Sequence, residues 1–267
     1  IGVATSLAIA TSKKLDHGPL EILFTVDEET GLNGASKLKN DFLEGRKLIN
    51  LDSERFGSFT IGCAGGGNSE ISLPVEGEFR DSVNTMKISI TGLKGGHSGV
   101  DINKGRANAI KILANILWEL KENEDQNIFI HDISGGNKDN AIPREAKATI
   151  VTKTHIEKAE QIIMEKFFGI RKEYQDIEDN MELNIEKDEQ GDKIETLTSE
   201  ESKKVIQLLE ALPHGVISMS QKVENLVRTS TNLAKVSKKD EEIDITMKTR
   251  SSSKTELEET RNRIRAI

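Results

Sequence analysis

Met86-Lys87-Ile88-Ser89-Ile90 places apolar side chains at alternate positions, and the segments after it decide the fold. Successive side chains of a strand point to opposite faces, so this run buries one face and wets the other. A helix is predicted over 104–122, with Ile110, Leu113, Leu117 and Leu120 on one stripe. Apolar runs near 127–133 and 146–152 predict two more strands. A second helix is expected over 155–169, with Ile156, Ala159, Ile163 and Phe167 in register, and Met181, Leu183 and Ile185 alternate in a last strand. The order β-α-β-β-α-β is a split βαβ unit, a ferredoxin-like α+β fold.

Downstream, Thr198 and Glu201 have capping-box spacing ahead of Val205, Ile206 and Leu209. Strands near 225–237 and 241–250, then a helix from about Ser253 to the end, indicate a second sheet-and-helix unit that doubles the first and is cut off at Ile267. Upstream, the pattern is a helix over 1–12, a strand over 22–26, a short helix near 35–38 and a strand over 47–51. That alternation predicts parallel strands joined by crossovers, an α/β sheet. Strands over 58–63 and 69–76 are expected to be joined across Ala64-Gly65-Gly66-Gly67, and Pro74 confines the second to a sheet edge. Phe79-Arg80-Asp81-Ser82 reads as a hinge. Residues 1–80 are therefore expected to be part of a catalytic α/β domain, and 81–267 an inserted α+β lid.

Composition narrows the function. The 267 residues are 35% hydrophobic and 31% charged, with a net charge of −8. Such a chain is neither disordered nor membranous, and it lacks the basic face that nucleic acid requires. No apolar stretch approaches the ~20 residues of a membrane-spanning helix. Cys63 is the single cysteine, which rules out an internal disulfide and fits a cytoplasmic location. It reads as a small buried residue at a tight turn. His17, His131, His155 and His214 show no ligand spacing and read as surface or boundary residues.

Acids stand where two apolar runs stop. Asp27-Glu28-Glu29 ends Ile22-Leu23-Phe24-Thr25-Val26, and Asp52 ends Lys47-Leu48-Ile49-Asn50-Leu51. Strand C-termini are where open α/β sheets place their chemistry, and carboxylates at a core's rim lose hydration unless paired or bound to a cation. The alternative is that these acids cap the following segment, with Glu29-Thr30-Gly31 as a turn.

Thr25-Val26-Asp27-Glu28-Glu29-Thr30-Gly31 and Asn50-Leu51-Asp52-Ser53-Glu54 resemble the metal-dependent aminoacylase and dipeptidase family. Gly62-Cys63-Ala64-Gly65-Gly66, Lys94-Gly95-Gly96-His97-Ser98-Gly99 and Asn140-Ala141-Ile142-Pro143-Arg144-Glu145-Ala146 are similar to its Xaa-His dipeptidase branch. The resemblance implies a partial zinc-peptidase catalytic sheet carrying the lid, with two zinc ions bridged by an aspartate and a water; manganese or cobalt would also suit carboxylates. It implies Glu28 as general base, Glu29 on one zinc and Asp52 on the other. His97 would stabilise the tetrahedral oxyanion, from its own or a partner chain, and Asn140 and Arg250 would hold a substrate carboxylate. A short peptide is the implied substrate, and the lid's sheet edge could pair with a second copy as a homodimer.

The family's two metal histidines and its bridging aspartate have no match in this sequence. They are expected before Ile1 and beyond Ile267, so the chain is read as an internal fragment that alone binds zinc weakly and hydrolyses nothing. An amidohydrolase acting on N-acyl amino acids, or a non-catalytic binding or assembly module, would share much of this pattern.

Overall fold

The computed structural model describes residues 1–28, 32–52, 57–81, 83–123, 128–152, 156–191 and 193–267. The chain divides into two units, Ile1–Gly62 and Cys63–Ile267. The division lies upstream of the boundary expected at residue 80, because the strand beginning at Gly65 is already hydrogen-bonded within the larger unit.

The smaller unit carries α1 (Gly2–Thr11) and α2 (Asn33–Ser36). The strands expected over 22–26, 47–51 and 58–63 are not formed among the described residues, and neither is the parallel sheet they implied. A run becomes a strand when a neighbour completes its backbone ladder. Here no ladder forms, and Phe24, Val26 and Ile49 stand exposed. Cys63, where the larger unit begins, is exposed as well, against the expected burial.

The larger unit opens with β1 (Gly65–Pro74), β2 (Gly77–Arg80), β3 (Val83–Thr91), β4 (Gly96–His97), α3 (Ala109–Asn123), β5 (Ile128–Gly135), β6 (Ala141–Ile142) and β7 (Ala146–Thr152). It continues through α4 (Ile156–Glu173), β8 (Glu182–Gly191), β9 (Ile194–Leu197), α5 (Ser199–Ala211), β10 (Gly215–Met219), β11 (Val227–Lys239), β12 (Glu242–Ser251) and α6 (Lys254–Ala266). One antiparallel sheet runs β1-β12-β11-β5-β7-β3-β8, with β10 also beside β11. The part β5-β7-β3-β8, with α3 and α4, is the ferredoxin-like unit read from the sequence. The downstream strands do not build a separate sheet. They extend the same one, because β11 pairs with β5. β1 lies at the sheet's edge and ends at Pro74, as a residue without an N–H requires. The expected hinge is instead a paired strand, since Phe79 and Arg80 of β2 ladder with Glu195 and Ile194 of β9; Ser82 lies outside the described residues.

The core lies between this sheet and its helices. Ile110, Leu113, Leu117 and Leu120 of α3 are fully buried with Met86, Ile88 and Ile90 of β3. Each such side chain contributes roughly 1.5–3 kcal/mol by leaving water. The helix starts at Ala109 rather than near 104, because Asn108 Oδ1 accepts from the N–H groups of Ile110 and Lys111 at 2.9 and 3.3 Å. Thr198 caps α5 as expected, its hydroxyl accepting from Glu201 N at 3.2 Å. At the far end Lys111 Nζ donates to the carbonyls of Leu209, Glu210 and Leu212, which the helix leaves without intrahelical partners.

Candidate functional site

The glycine–histidine motif forms a short ribbon. Gly96 and His97 of β4 pair with Ile142 and Ala141 of β6, and Ser98 N donates to the carbonyl of Asn140 at 2.8 Å. Gly96 has φ +139°, and a β-carbon there would lie 2.1 Å from Arg106 Nη1 and 2.6 Å from Asp101 Oδ2. No other residue type fits that backbone. Asp101 in turn accepts from His97 N at 2.8 Å and pairs with Lys104 and Arg106. Those bonds hold its carboxyl below the usual carboxylate range. Glu178, 2% exposed, accepts from Lys94 N at 2.7 Å and Ala107 N at 3.0 Å, pinning both ends of the loop.

His97 is held as one tautomer. Its Nδ1 accepts from the backbone N–H groups of Gly99 and Val100 at 3.2 and 3.1 Å, so the ring proton sits on Nε2. Desolvation and then the Arg250 guanidinium lower its pKa, against the opposing pull of Asp101. The result is a neutral imidazole with an N–H to donate. Arg250 is close by: a β-carbon at Gly99 would lie 3.1 Å from Arg250 Cδ and Nε and 3.2 Å from His97 Cε1. No carboxylate pairs with Arg250 among the described residues, and its buried Nε has no hydrogen-bond partner.

The structure thus brings His97, Asn140 and Arg250 together in the larger unit. Two further residues there escaped the sequence reading. Ser98 Oγ and Asn232 Oδ1 are also buried without partners among the described residues. Buried polar groups in proteins are nearly always satisfied, so three of the four unsatisfied ones among the described residues, the other being Arg261 Nε on α6, single out this part of the larger unit. Asn232 sits in the polar run Thr229-Ser230-Thr231-Asn232, all buried within β11. Polar residues in a central strand were the signal available in the sequence. His214, read as a surface or boundary residue, is half-buried, with Nδ1 3.2 Å from Asn108 Nδ2; desolvation and then Lys111 push its pKa down to about 4.

The acids belong to the smaller unit. Glu28 and Asp52 are exposed, while Glu29 lies outside the described residues. Asp27 adopts φ +59°, and its backbone carbonyl and Oδ2 accept from Asn33 N and Nδ2 at 3.2 and 2.6 Å. Asp52 N donates to Asn50 Oδ1 at 2.9 Å. No group of three or more His, Cys, Asp or Glu able to hold a metal occurs among the described residues. Catalytic zinc takes three protein ligands and a water, so these carboxylates alone do not make a complete centre.

A family of peptidase dimerisation domains matches residues 88–177. The chain is 36% identical over 247 residues to the cytosol non-specific dipeptidase of Escherichia coli (strain K12), which covers 92% of this chain and 50% of that protein. Among solved structures, the aminoacylhistidine dipeptidase of Vibrio alginolyticus matches with a TM-score of 0.82 and 30% identity over 99% of this chain and 54% of that one. The chain therefore spans about half the length of these relatives.

Proposed function

We propose that the chain belongs to the metal-dependent aminoacylase and dipeptidase family, as the matches support, and that the whole protein is a metallopeptidase hydrolysing dipeptides, part of whose site these residues supply. The observation that carries the reading is a neutral histidine presenting Nε2–H beside a guanidinium that has no carboxylate partner among the described residues. That pair suits two oxygens of one small substrate. As the scissile carbonyl becomes tetrahedral, His97 donates to the developing oxyanion, a stabilisation absent from the planar ground state. The planar fork of Arg250 takes the C-terminal carboxylate, and Asn140 supplies an amide beside it. Glu28 accepts a proton from the attacking water and returns it to the leaving amine.

Glu29 and Asp52 are the residues assigned to the metal. Zinc is the preferred ion, with manganese or cobalt as alternatives for oxygen donors. Such ions, when bound, acidify water and polarise the carbonyl. The remaining donors would come from the whole protein outside these 267 residues.

Xaa-His peptides are the proposed substrates, supported by the aminoacylhistidine dipeptidase match. The dimerisation-domain match supports self-association through the lid, and the sheet's outer strands β1 and β8 offer ladder edges for it. A cytoplasmic setting is proposed on the name of the cytosolic relative. No helix among the described residues is long and apolar enough to cross a membrane.

The test is Glu28→Gln in the whole protein. Turnover of Xaa-His dipeptides should be lost while bound metal is retained. Unchanged turnover would remove Glu28 from the mechanism.

A further inference from the structure

The two halves of the sheet meet over two residue pairs, Val236 with Gly135 and Ser237 with Ser134. Beside that short ladder β11 is irregular between Leu233 and Lys235. Gly136, at φ +69°, approaches so closely that a β-carbon would lie 1.9 Å from the carbonyl oxygen of Ala234. Two asparagine side chains complete the seam. Asn108 Nδ2 donates to the carbonyl of Leu233 at 2.8 Å, and Asn232 Nδ2 donates to the carbonyl of Ala141 at 2.8 Å.

The candidate site is divided by this seam. His97 and Asn140 come from the ribbon within the first half, and Arg250 comes from β12 in the second. Asn232 crosses between them. Its side chain is fully buried, its Oδ1 has no partner, and its Nδ2 bonds Ala141, the residue paired with His97 in the ribbon. An acceptor left unpaired in the interior is destabilising, which a leucine of similar volume would avoid. The amide's one bond among the described residues is therefore the feature that distinguishes it from a hydrophobe here. Turning it over would set oxygen against oxygen at Ala141, so the donor orientation is fixed.

We propose that Asn232 is a positioning residue: its hydrogen bond to Ala141 docks the ribbon carrying His97 and Asn140 onto β11, at the spacing that sets Arg250 beside His97. The site is then complete only when the two halves of the sheet are in register. The functional consequence rests on the reading of His97 and Arg250 as an oxyanion and carboxylate pair; the structural claim does not.

The experiment follows the histidine ring nitrogens of the 267-residue chain by NMR across pH. In Asn232→Ala, His97 should titrate at higher pH than in the wild type, as Arg250 no longer stands beside it. Its Nδ1 and Nε2 signals should also lose the single-tautomer pattern. His214, bonded to Asn108 rather than Asn232, serves as the internal control and should keep its titration near 4. A folded variant whose His97 titrates as in the wild type overturns the proposal. Asn232→Leu keeps the volume and provides the same reading if the alanine variant does not fold. Should neither fold, the wild type decides: its Asn232 side-chain N–H must exchange slowly with water, and fast exchange overturns the claim. In the whole protein, Asn232→Ala should lower kcat/KM on the order of 100-fold, the effect of a misplaced catalytic group. Absence of dipeptidase activity in the wild type would refute the functional reading alone, because the ring titration needs no substrate.

Discussion

At the scale of single residues, two histidines in one unit have lowered pKa values, each through desolvation and then a nearby cation. His97 is an exposed residue whose ring is nonetheless partly desolvated, pinned by two backbone N–H groups and faced by Arg250. Replacing it with alanine in the whole protein should lower kcat by roughly 100- to 1,000-fold, the effect of losing one oxyanion donor, with KM changed far less. His214 is neutral because burial, aided by Lys111, pushes it to about 4. Its folded pKa lies below the ordinary value, so on acidification the unfolded chain takes the proton first. The stability it contributes is complete above about pH 6.5 and is lost as pH falls toward about 4, amounting to roughly 3 kcal/mol. Urea midpoints between pH 7 and 4 should fall less steeply for His214→Gln than for the wild type. His97, Asn140 and Arg250 were legible in the sequence as members of a resemblance. Asn232 was not, since its partner Ala141 is 91 residues away and pairing at that range leaves no local pattern. The exposure of Cys63 was misread for the same reason.

Elements were legible in proportion to how far their stability is local. The stripes on α3 and α4 and the capping box of α5 were read directly, and the buried faces are those stripes. Thr198→Ala should therefore cost about 1 kcal/mol by leaving the Glu201 N–H without its cap, read as a shift in denaturant midpoint. The start of α3 was placed too early because Asn108, a capping residue inside the apolar pattern, outweighed the periodicity. Runs over 22–26 and 47–51 have strand-like composition, but composition cannot supply a ladder partner. The seam makes the same point: the pairing of β11 with β5 could not be foreseen from either strand, and Gly136 serves a neighbour nearly 100 residues away. Gly136→Ala should destabilise the larger unit by more than about 1 kcal/mol, through both its positive φ and the approach to Ala234.

For the molecule as a whole, the sequence indicated a doubled lid with a second sheet, and the structure instead extends one continuous sheet, whose junction passes through the candidate site. The net charge is −8, while the Arg250 side chain remains a local positive centre. Catalysis would need more metal donors than Glu29 and Asp52, so the 267-residue chain with added zinc should leave dipeptides intact. Turnover by that chain would show that its own residues complete the metal centre.

The most direct measurement compares, in the whole protein, hydrolysis of an Xaa-His dipeptide with that of the same dipeptide amidated at its C-terminus, for the wild type and for Arg250→Met. The account predicts that the wild type favours the free carboxylate by about 10- to 100-fold in kcat/KM, as a charged hydrogen bond of roughly 1.5–3 kcal/mol requires, and that the variant loses this preference. An undiminished preference in Arg250→Met would contradict it.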